Sequence, residues 1–364
     1  MKITKIKLKN FRNYDDLEMT FSDTLNIIYG NNGSGKSNLI EAIYLLALTK
    51  SFRTNNDENL IEKGKLSCDV KGTIETNEKI TYEVNISPEG KKVFIDSDKV
   101  GKMSDYVSRI NIILYNPLDN KIINDSPAIR RKMLDIEISQ INKDYLIYLS
   151  NYNKILKNRN AYLKQLYLNG NASNEYLDIL TRKLIEYGMK IHEIRKEYIE
   201  QINNGITKIY QSIFEYGNLE IKYKSLFNGK SIDKILEMYR KDYRKEMAFG
   251  KTLSGIHHDD IEFNLDGNNI KEYGSVGQQK NAIISFKLSE LLIVKKIKNE
   301  YPILILDDLF SELDTTKINN IINMLNKEVQ TFITTTNIDN INKDLLKQST
   351  TFKVDNKNIE RNDN

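Results

Sequence analysis

Residues 25–43, LNIIYGNNGSGKSNLIEAI, decide the fold, because they place a glycine-rich loop between an apolar run and a helical pattern. Within this stretch, residues 30–37, GNNGSGKS, satisfy the phosphate-loop pattern G-x-x-x-x-G-K-S/T. The apolar run predicts a strand that ends at Gly30, and the spacing after it predicts a helix that begins near Gly35. A glycine-rich turn can match this pattern by chance. A predicted strand directly before it and a predicted helix directly after it argue against a chance match.

The residue types of this phosphate loop (residues 30–37) suit a triphosphate and its metal ion. Gly33 and Gly35 let the backbone curl so that successive N–H groups face inward, and the following helix adds its positive end. Lys36 would neutralise the β- and γ-phosphates, and the Ser37 hydroxyl would bind Mg²⁺. We therefore expect ATP and Mg²⁺ as cofactors. The predicted nucleotide-binding residues are Gly30, Asn31, Asn32, Gly33, Ser34, Gly35, Lys36, Ser37 and Asn38.

Two carboxylates follow a second apolar run at residues 303–308, ILILDD. At the end of a strand, Asp307 would hold Mg²⁺ through water, and Asp308 could orient or deprotonate the water that attacks the γ-phosphate. An acidic turn after a core strand is the alternative interpretation of this segment taken alone. Beside the phosphate loop the catalytic interpretation is favoured, with Asp308 and Lys36 as the catalytic candidates.

The pattern along the chain predicts an α/β ATPase head with a mixed sheet, interrupted by a mainly α-helical lobe. Alternating apolar residues predict strands around residues 6–8, 70–74, 82–86, 93–95 and 261–265, whereas residues 127–249 show helical spacing. We expect an N-terminal head part at 1–116, a helical arm at 117–250 and a C-terminal head part at 251–364. The final ten residues are polar enough that we expect them to fray.

Composition excludes several classes of protein. Lys and Arg number 54 against 50 Asp and Glu, so the net charge of +4 says little about partners, and a nucleic-acid surface must be a local patch. Cys68 is the single cysteine, which excludes an internal disulfide framework. The first residues, MKITKIKLKNF, lack an export signal, and the apolar runs are shorter than the ~20 residues that span a bilayer. We expect a cytoplasmic protein without a membrane partner.

Two further motifs resemble those of ABC-type ATPases. Residues 274–279, GSVGQQ, precede a helical pattern and look like the signature loop, which binds the γ-phosphate of a second chain. Residues 311–314, SELD, directly follow the acidic pair and resemble the D-loop, which crosses the dimer interface. The resemblance implies that two chains pair head to tail around nucleotide. It assigns Ser275, Val276, Gly277, Gln278 and Gln279 to the signature loop in trans and Ser311, Glu312, Leu313 and Asp314 to the D-loop.

Over nearly its whole length the chain resembles the RecF family of DNA replication and repair proteins. The markers are NFRNY at 10–14, GNNGSGKSNLIEAI at 30–43, SFRT at 51–54, RRKMLD at 130–135, KNRN at 157–160, HHDD at 257–260, GSVGQQK at 274–280 and LDDLFSELD at 306–314. The resemblance implies an ATPase head with a helical arm and an ATP-dependent homodimer on double-stranded and gapped DNA. It further implies a role in recombinational repair, replication-fork maintenance and the SOS response, in cooperation with RecR in placing RecA at gaps.

The chain departs from the family pattern at several positions. Ile256 and His258 stand where the family has proline and arginine, Leu118 replaces a glutamate, and Asp125 replaces a glycine. Residues 334–336 stand where transporter ATPases carry a switch histidine. Asp308 rather than glutamate follows the metal aspartate, which suggests slow turnover. We therefore expect a weak, DNA-stimulated ATPase that acts as a switch.

Several basic and histidine residues remain open to more than one interpretation. Arg53, Arg130, Arg131 and Lys132 are the candidates for DNA phosphate contacts, although such charge clusters are more often solvated faces. His257 and His258 suggest a metal site, but neighbouring side chains on an extended segment point in opposite directions. A structural or nucleotide-proximal role is favoured for them.

An ABC-type ATPase subunit of another assembly is the alternative function. A transporter ATPase would have a shorter helical subdomain, a switch histidine and a membrane partner. An SMC-type relative would have a long heptad coiled coil. The full set of motifs favours the DNA-binding switch.

Overall fold

The computed structural model describes residues 1–169, 174–325, 327–338, 341–355 and 357–363. The chain forms two compact units, of which the first comprises Met1–Asn120, Lys208–Tyr216 and Lys280–Asn364, and the second Lys121–Thr207 and Gly217–Gln279. The assignment of head and arm functions to 1–116, 117–250 and 251–364 stays a prediction. None of the helices in these described ranges combines the length and apolar character needed to cross a bilayer.

Each part of the described chain contains both helices and strands. Those of the first 120 residues are β1 (Lys2–Phe11), β2 (Tyr14–Thr20), β3 (Leu25–Tyr29), α1 (Lys36–Leu48), β4 (Cys68–Glu75), β5 (Lys79–Ser87), β6 (Gly90–Ile95), β7 (Asp98–Lys99), α2 (Ser104–Val107) and β8 (Ile112–Tyr115). The middle of the chain forms α3 (Asn120–Asn124), α4 (Pro127–Ile141), α5 (Lys143–Asn169), α6 (Asn174–Asn203), α7 (Ile206–Phe214), β9 (Leu219–Lys224) and α8 (Ile232–Phe249). The remainder forms β10 (Asp260–Leu265), β11 (Asn268–Asn269), α9 (Ile270–Tyr273), α10 (Val276–Lys298), β12 (Ile303–Leu306), α11 (Leu309–Glu312), α12 (Thr315–Met324), β13 (Thr331–Thr335), α13 (Lys343–Lys347), β14 (Ser349–Asp355) and β15 (Asn358–Asp363).

A largely parallel sheet carries the motifs of the first unit. Its strand order is β15-β14-β3-β13-β12-β8, and every neighbouring pair is parallel except β14 and β15. All residues of β12 and β13 are buried, as expected for parallel strands covered on both faces. Because β3, β12 and β13 run in the same direction, their carboxyl ends meet at one edge of the sheet. The phosphate loop and the Asp307–Asp308 pair therefore leave the sheet at the same edge.

An antiparallel sheet completes the strands of the first unit. Its order is β2-β1-β4-β5-β6-β7, and buried residues alternate with more exposed ones along β4. The predicted strands around residues 6–8, 70–74, 82–86 and 93–95 are confirmed, and so is the mixed α/β fold class. The expectation that the last residues fray is wrong, because residues 358–363 form β15 and pair along β14.

The second unit is mainly helical, but it contains a small sheet of order β11-β10-β9. The expected helical insert at 127–249 is thus interrupted by β9, which pairs antiparallel with β10. Helices α5 and α8 are joined through Arg159, which is 1% exposed and donates to the Glu246 carboxylate at 2.6 Å. The same guanidinium donates to the hydroxyls of Thr181 at 2.9 Å and Thr252 at 2.7 Å, so each of its three nitrogens has a hydrogen-bond partner.

Candidate nucleotide-binding site

The phosphate loop links β3 to α1 through backbone that only glycine adopts easily. Gly30, Gly33 and Gly35 have φ values of 154°, 80° and 121°. A Cβ atom on Gly35 would lie 2.7 Å from the hydroxyl oxygen of Tyr14, and one on Gly30 would lie 2.2 Å from the Val354 carbonyl oxygen. Residues of β2 and β14 therefore lie close to the loop, and a side chain at Gly30 or Gly35 would displace the loop or these neighbours.

Residues of the NFRNY segment hold the beginning of α1. The Tyr14 hydroxyl donates to the Gly35 carbonyl oxygen at 3.1 Å, and the Asn38 amide donates to Asn13 Oδ1 at 2.7 Å. Burial raises the pKa of Tyr14, so its hydroxyl stays protonated and available as a donor at neutral pH. These bonds fix the direction in which the first N–H groups of α1 point.

A cavity of about 350 Å³ lies over the loop. It brings together the phosphate loop and the acidic strand end, which the sequence presents as separate motifs. Its lining residues are Asn32, Gly33, Gly35, Lys36, Ser37, Asn38, Arg53, Pro117, Asp307, Asp308, Thr334 and Thr336. Amide, hydroxyl, cationic and carboxylate groups thus face one space, as a nucleoside triphosphate and a divalent cation require.

Lys36 lies on the wall of this cavity and is 8% exposed. Its ammonium group donates to the carbonyl oxygens of Gly30 at 2.7 Å and Asn31 at 3.0 Å. Burial lowers the pKa of Lys36, while the nearby carboxylates of Asp308 and Asp307 act in the opposite direction. The cation is therefore held against the loop by backbone dipoles, within reach of the space where phosphates would lie.

Thr334 at the end of β13 organises the two aspartates. Its hydroxyl donates to Asp307 Oδ1 at 2.6 Å and accepts the backbone N–H of Asp308 at 2.8 Å. Burial raises the pKa of Asp307, and the hydrogen bond from Thr334 opposes that shift. Asp308 itself has a left-handed backbone, with φ 55°, which aspartate tolerates better than most residues. This role of Thr334 could not be predicted from the sequence, because it depends on a contact with Asp307 across the sheet.

A buried glutamate ties two arginines to α1. Glu41 is 0% exposed, and its oxygens accept from Arg12 Nε at 2.8 Å and Nη2 at 2.7 Å. Arg53 Nη1 donates to Asn38 Oδ1 at 2.7 Å and approaches Glu41 Oε2 at 3.3 Å. Arg53, predicted as a DNA contact, therefore lies at the phosphate-loop cavity. Sequence reasoning missed Glu41, because a single acid in a helical pattern carries no signal of its partners.

The signature loop (residues 274–279) belongs to the second unit and begins α10. The Ser275 N–H donates to Gln278 Oε1 at 2.9 Å, and the Gln278 N–H donates to Ser275 Oγ at 3.2 Å, which is the reciprocal pattern of a capping box. Ser275, Val276 and Gly277 are exposed, whereas Gln279 is 8% exposed. A Cβ on Gly277 would meet only Ser275 Oγ, at 3.9 Å. The loop is thus internally ordered and open to solvent.

The residues that resemble a D-loop lie on and after α11. The side chains of Ser311 and Glu312 are outside the described part of the structure. Leu313 is extended, and Asp314 caps α12 by accepting the Lys317 N–H at 3.0 Å. Lys317 also forms an ion pair with Asp314 at 2.8 Å, so this carboxylate serves the helix locally.

The chain is similar to known proteins over most of its length. A family model described as the RecF/RecN/SMC N terminal domain matches residues 2–360. A protein named DNA replication and repair protein RecF, from Bacillus mycoides (strain KBAB4), is 40% identical over 349 residues, which are 93% of this chain and 92% of the relative. This chain belongs to the RecF family. The protein of the same name from Bacillus cereus (strain G9842) shares the same identity and coverage.

Solved structures of RecF-family proteins share the whole fold. The recombination mediator protein RecF with ATP, of the RecFOR pathway, has a TM-score of 0.91 and 30% identity, and covers 99% of this chain and 97% of its own. The corresponding structure with ATPrS has a TM-score of 0.89 at 30% identity, and covers 99% of this chain and 98% of its own. An Smc head bound to the C-winged helix domain of ScpA has a TM-score of 0.57 at 16% identity. It covers 100% of this chain and 97% of its own, and it shows a shared fold alone.

The predicted DNA contacts of this RecF-family chain lie in different environments. Arg130 is 6% exposed and pairs with Asp260 at 2.6 Å, so its guanidinium is engaged within the second unit, and a DNA contact from it stays a prediction. Arg131 is half-buried, donates to the Asp259 carbonyl oxygen at 2.8 Å, and has its pKa lowered by burial. Lys132 is exposed. Spacing alone could not separate these three neighbours, because burial depends on which face of α4 packs inward.

The two histidines do not lie on an extended segment. Residues Ile256–His258 form a 3₁₀ turn, and the two imidazole rings are 4.2 Å apart between centroids, so the expectation that they point in opposite directions is wrong. His257 Nδ1 lies 2.7 Å from the Tyr152 hydroxyl, and both histidine Nε2 atoms lie within 3.4 Å of the Thr252 carbonyl oxygen. Among the residues that the structure describes, no group of three or more His, Cys, Asp or Glu residues could hold a metal ion.

Proposed function

We propose that this chain is an ATP-dependent DNA-binding protein of recombinational repair and replication-fork maintenance. In this proposal ATP binding closes a head-to-tail dimer on DNA, and slow hydrolysis releases it. The observation that carries the proposal is the single cavity in which the phosphate loop, Asp307 and Asp308 meet. Membership of the RecF family and the likeness to RecF structures that contain ATP or ATPrS support it.

The triphosphate would lie along the loop from Gly30 to Asn38. Backbone N–H groups at Gly33, Gly35 and the start of α1 would bind its oxygens. The Lys36 ammonium would exchange its bonds to the loop carbonyls for bonds to the β- and γ-phosphates, which are stronger acceptors because they are charged. Arg53 lines the same space and would add a second positive charge.

The cavity also fits Mg²⁺. The Ser37 hydroxyl and the Asp307 carboxylate both line it, and Mg²⁺ prefers hard oxygen ligands together with water. Ser37 would bind the ion directly and Asp307 would hold it through water. When bound, the ion would neutralise charge between the β- and γ-phosphates. Thr334 contributes by donating to Asp307 Oδ1 at 2.6 Å, which holds this carboxylate in place on the cavity wall.

Hydrolysis would depend on Asp308. Phosphoryl transfer needs a positioned water and stabilised charge more than covalent help. The Asp308 carboxylate would accept a hydrogen bond from the attacking water and take its proton. The shorter aspartate arm reaches less far than glutamate, so we expect turnover to be slow and the chain to act as a switch.

The second chain would complete the site. Ser275, Gly277 and Gln278 are at the beginning of α10, where the helix dipole favours negative charge, and Ser275 and Gly277 are exposed. We infer that the signature loop of one chain binds the γ-phosphate held by another, and that the segment 311–314 lies at the same interface. ATP would then act as part of the dimer contact.

DNA, double-stranded and gapped, is the proposed partner of the closed dimer, with Arg53, Arg130, Arg131 and Lys132 as the predicted phosphate contacts. RecR would bind the DNA-bound dimer, and RecA would be loaded at the gap downstream. A protein with this activity would work in the cytoplasm, where it would meet the chromosome.

Sedimentation with and without ATP and Mg²⁺, repeated with duplex and gapped DNA, tests the proposed function. We expect ATP to convert monomers to dimers and DNA to stabilise those dimers. Lys36→Ala is the control, because it removes the cation that offsets the phosphate charge and should abolish ATP-dependent dimerisation. A Lys36→Ala protein that dimerises normally with ATP would contradict the assignment of the phosphate loop.

A further inference from the structure

Arg130 connects separate segments of the second unit. Its Nε and Nη2 atoms donate to the two Asp260 oxygens on β10 at 2.6 and 3.0 Å. Its Nη1 atom lies 2.9 Å from the carbonyl oxygen of Ile122, 3.3 Å from that of Ile123 and 3.0 Å from that of Asp125, at the end of α3. Carbonyl groups at a helix C-terminus lack partners within the helix, and here one guanidinium supplies them. The end of α3 is therefore fixed to β10.

The same end of α3 contacts the first turn of α10. The Asn124 side-chain amide donates to Gln279 Oε1 at 2.9 Å. The Gln279 amide nitrogen lies 3.4 Å from the carbonyl oxygens of Ile270 on α9 and of Gly274, the first residue of the signature loop. Gln279 is 8% exposed, so it is the member of the signature loop that faces the interior. The hydrogen bonds of the buried Gln279 side chain therefore orient the signature loop, and Asn124 contributes through its bond to Gln279.

We propose that Arg130 is a positioning residue for phosphate recognition in trans, acting through Asn124 and Gln279 on the signature loop. This inference rests on the proposed role of that loop. The exposed residues Ser275 and Gly277 have to meet a phosphate on another molecule, and small errors in the position of binding groups are costly. Fixing α3 to β10 orders those groups before the second chain arrives, which reduces the entropy lost on pairing.

The guanidinium shape is essential to this role. Arginine presents its donors as a planar fork, so it can grip a carboxylate on one side while a third nitrogen reaches the carbonyls of α3. Lysine would keep the charge opposite Asp260 but lacks the fork. Arg130→Lys therefore separates the positive charge from the connection to α3, and Asn124→Ala removes the next link without touching the ion pair.

Arg159→Lys is the matched control. Arg159 is another buried arginine of the second unit, with donors to Glu246, Thr181 and Thr252. These partners are neither in α3 nor in the signature loop. Arg159→Lys should lower the free energy of unfolding about as much as Arg130→Lys does, while the signature loop keeps its position.

Hydrogen exchange without nucleotide measures the order of the loop directly. The N–H groups of Gln278 and Gln279 bond to Ser275, the second at 3.0 Å to its carbonyl oxygen, and report on the first turn of α10. We expect Arg130→Lys and Asn124→Ala to speed exchange at these amides about fivefold or more, and Arg159→Lys to leave them unchanged. Equal exchange in all variants and the unaltered protein would overturn the proposal.

ATP-dependent dimerisation measures the consequence. ATP affinity of the single chain should stay within about twofold, because the phosphate loop is intact. Losing one hydrogen bond should weaken each loop roughly threefold, and a symmetric dimer contains two loops, so we expect its dissociation constant to rise about tenfold. If Arg159→Lys weakens the dimer equally, the effect is general stability and the proposal fails.

The two measurements distinguish the inference from the proposed function. If exchange changes as expected but the unaltered protein shows no ATP-dependent dimer, Arg130 positions the loop and the proposed role of that loop in trans is wrong. If the unaltered protein dimerises and the loop variants dimerise equally well, the proposed function stands and the positioning role of Arg130 is refuted.

Discussion

Asp308 is the residue on which turnover depends in the proposed mechanism. Its backbone, with φ 55° and an N–H bonded to Thr334, fixes where the carboxylate leaves the end of β12. Asp308→Asn keeps the size and removes the proton acceptor. We expect ATP affinity to be unchanged, hydrolysis to fall by about 10²- to 10⁴-fold, and ATP-bound dimers to accumulate. Single-turnover hydrolysis and sedimentation measure these quantities, and loss of ATP binding instead would mean that Asp307 and Asp308 exchange roles.

The burial of His257 predicts that the free energy of unfolding depends on pH. Its Nδ1 faces the Tyr152 hydroxyl and its Nε2 faces the Thr252 carbonyl oxygen, a setting that suits a neutral ring with its proton on Nε2. Burial lowers the pKa of His257 from 6.5 to about 4. In the folded chain this group therefore binds a proton less readily than in the unfolded chain. The free energy of unfolding must fall as the pH drops from the unfolded pKa toward the folded one.

Replacing the histidine tests this dependence. We expect His257 to account for a loss of about 2–3 kcal/mol in the free energy of unfolding between about pH 7 and pH 4. His257→Gln should therefore show a smaller loss over the same range, even if it is less stable at neutral pH. Urea unfolding of both proteins at several pH values gives the difference, and parallel profiles would mean that His257 does not titrate in this range.

At the scale of elements, the strand, loop and helix around the phosphate loop are predictable because each of their patterns is local. Apolar runs, glycines and helical spacing each report on a few neighbouring residues. The pairing of β9 with β10 and of β15 with β14 depends on partners elsewhere in the chain, and polar residues such as those of β15 give no alternation to detect. Those elements could not be predicted in the same way.

The residues of the candidate site also differ in whether they belong to a local motif or depend on distant contacts. The phosphate loop and the acidic strand end are contiguous motifs, so the sequence identifies them. Thr334 and Glu41 act through contacts with residues far away in the chain, and only the folded sheet brings them together. Arg130 resembled a free cation for the same reason, because several helices separate it from its partner Asp260 along the chain.

Gly35 and Gly33 allow a test of the strand, loop and helix as one unit. Alanine at Gly33 would meet no atom within 4 Å and carries only the strain of its positive φ. Alanine at Gly35 would also press on Tyr14, at 2.7 Å, at the beginning of α1. We expect Gly33→Ala to cost about 1 kcal/mol and Gly35→Ala about 3 kcal/mol or more in the free energy of unfolding. Urea unfolding without nucleotide measures both, and equal costs would contradict the close packing of Tyr14 on the loop.

The whole molecule carries a net charge of only +4, so its overall charge provides little attraction for DNA. Among the described residues, several of the basic side chains that the sequence offered for this purpose are engaged within the protein. Each chain would therefore present a modest basic surface, and pairing two chains doubles the phosphate contacts along one duplex. Dimerisation and DNA binding should be linked for this reason.

ATP and DNA should consequently strengthen each other's binding. A ligand shifts the dimer equilibrium only by its preference for the closed state, so DNA that favours that state must raise the affinity for ATP by the same factor as ATP raises the affinity for DNA. Lys and Arg contacts release condensed counterions, so the affinity for DNA should fall steeply as the salt concentration rises. The logarithm of the binding constant should fall by roughly one unit per phosphate contacted for each tenfold rise in salt. This slope should be larger with ATP than without it. Titrating ATP with and without duplex at several salt concentrations measures the coupling, with Lys36→Ala as the uncoupled control. If duplex leaves ATP affinity and dimerisation untouched at every salt concentration, DNA is bound by a partner and the proposed clamp is wrong.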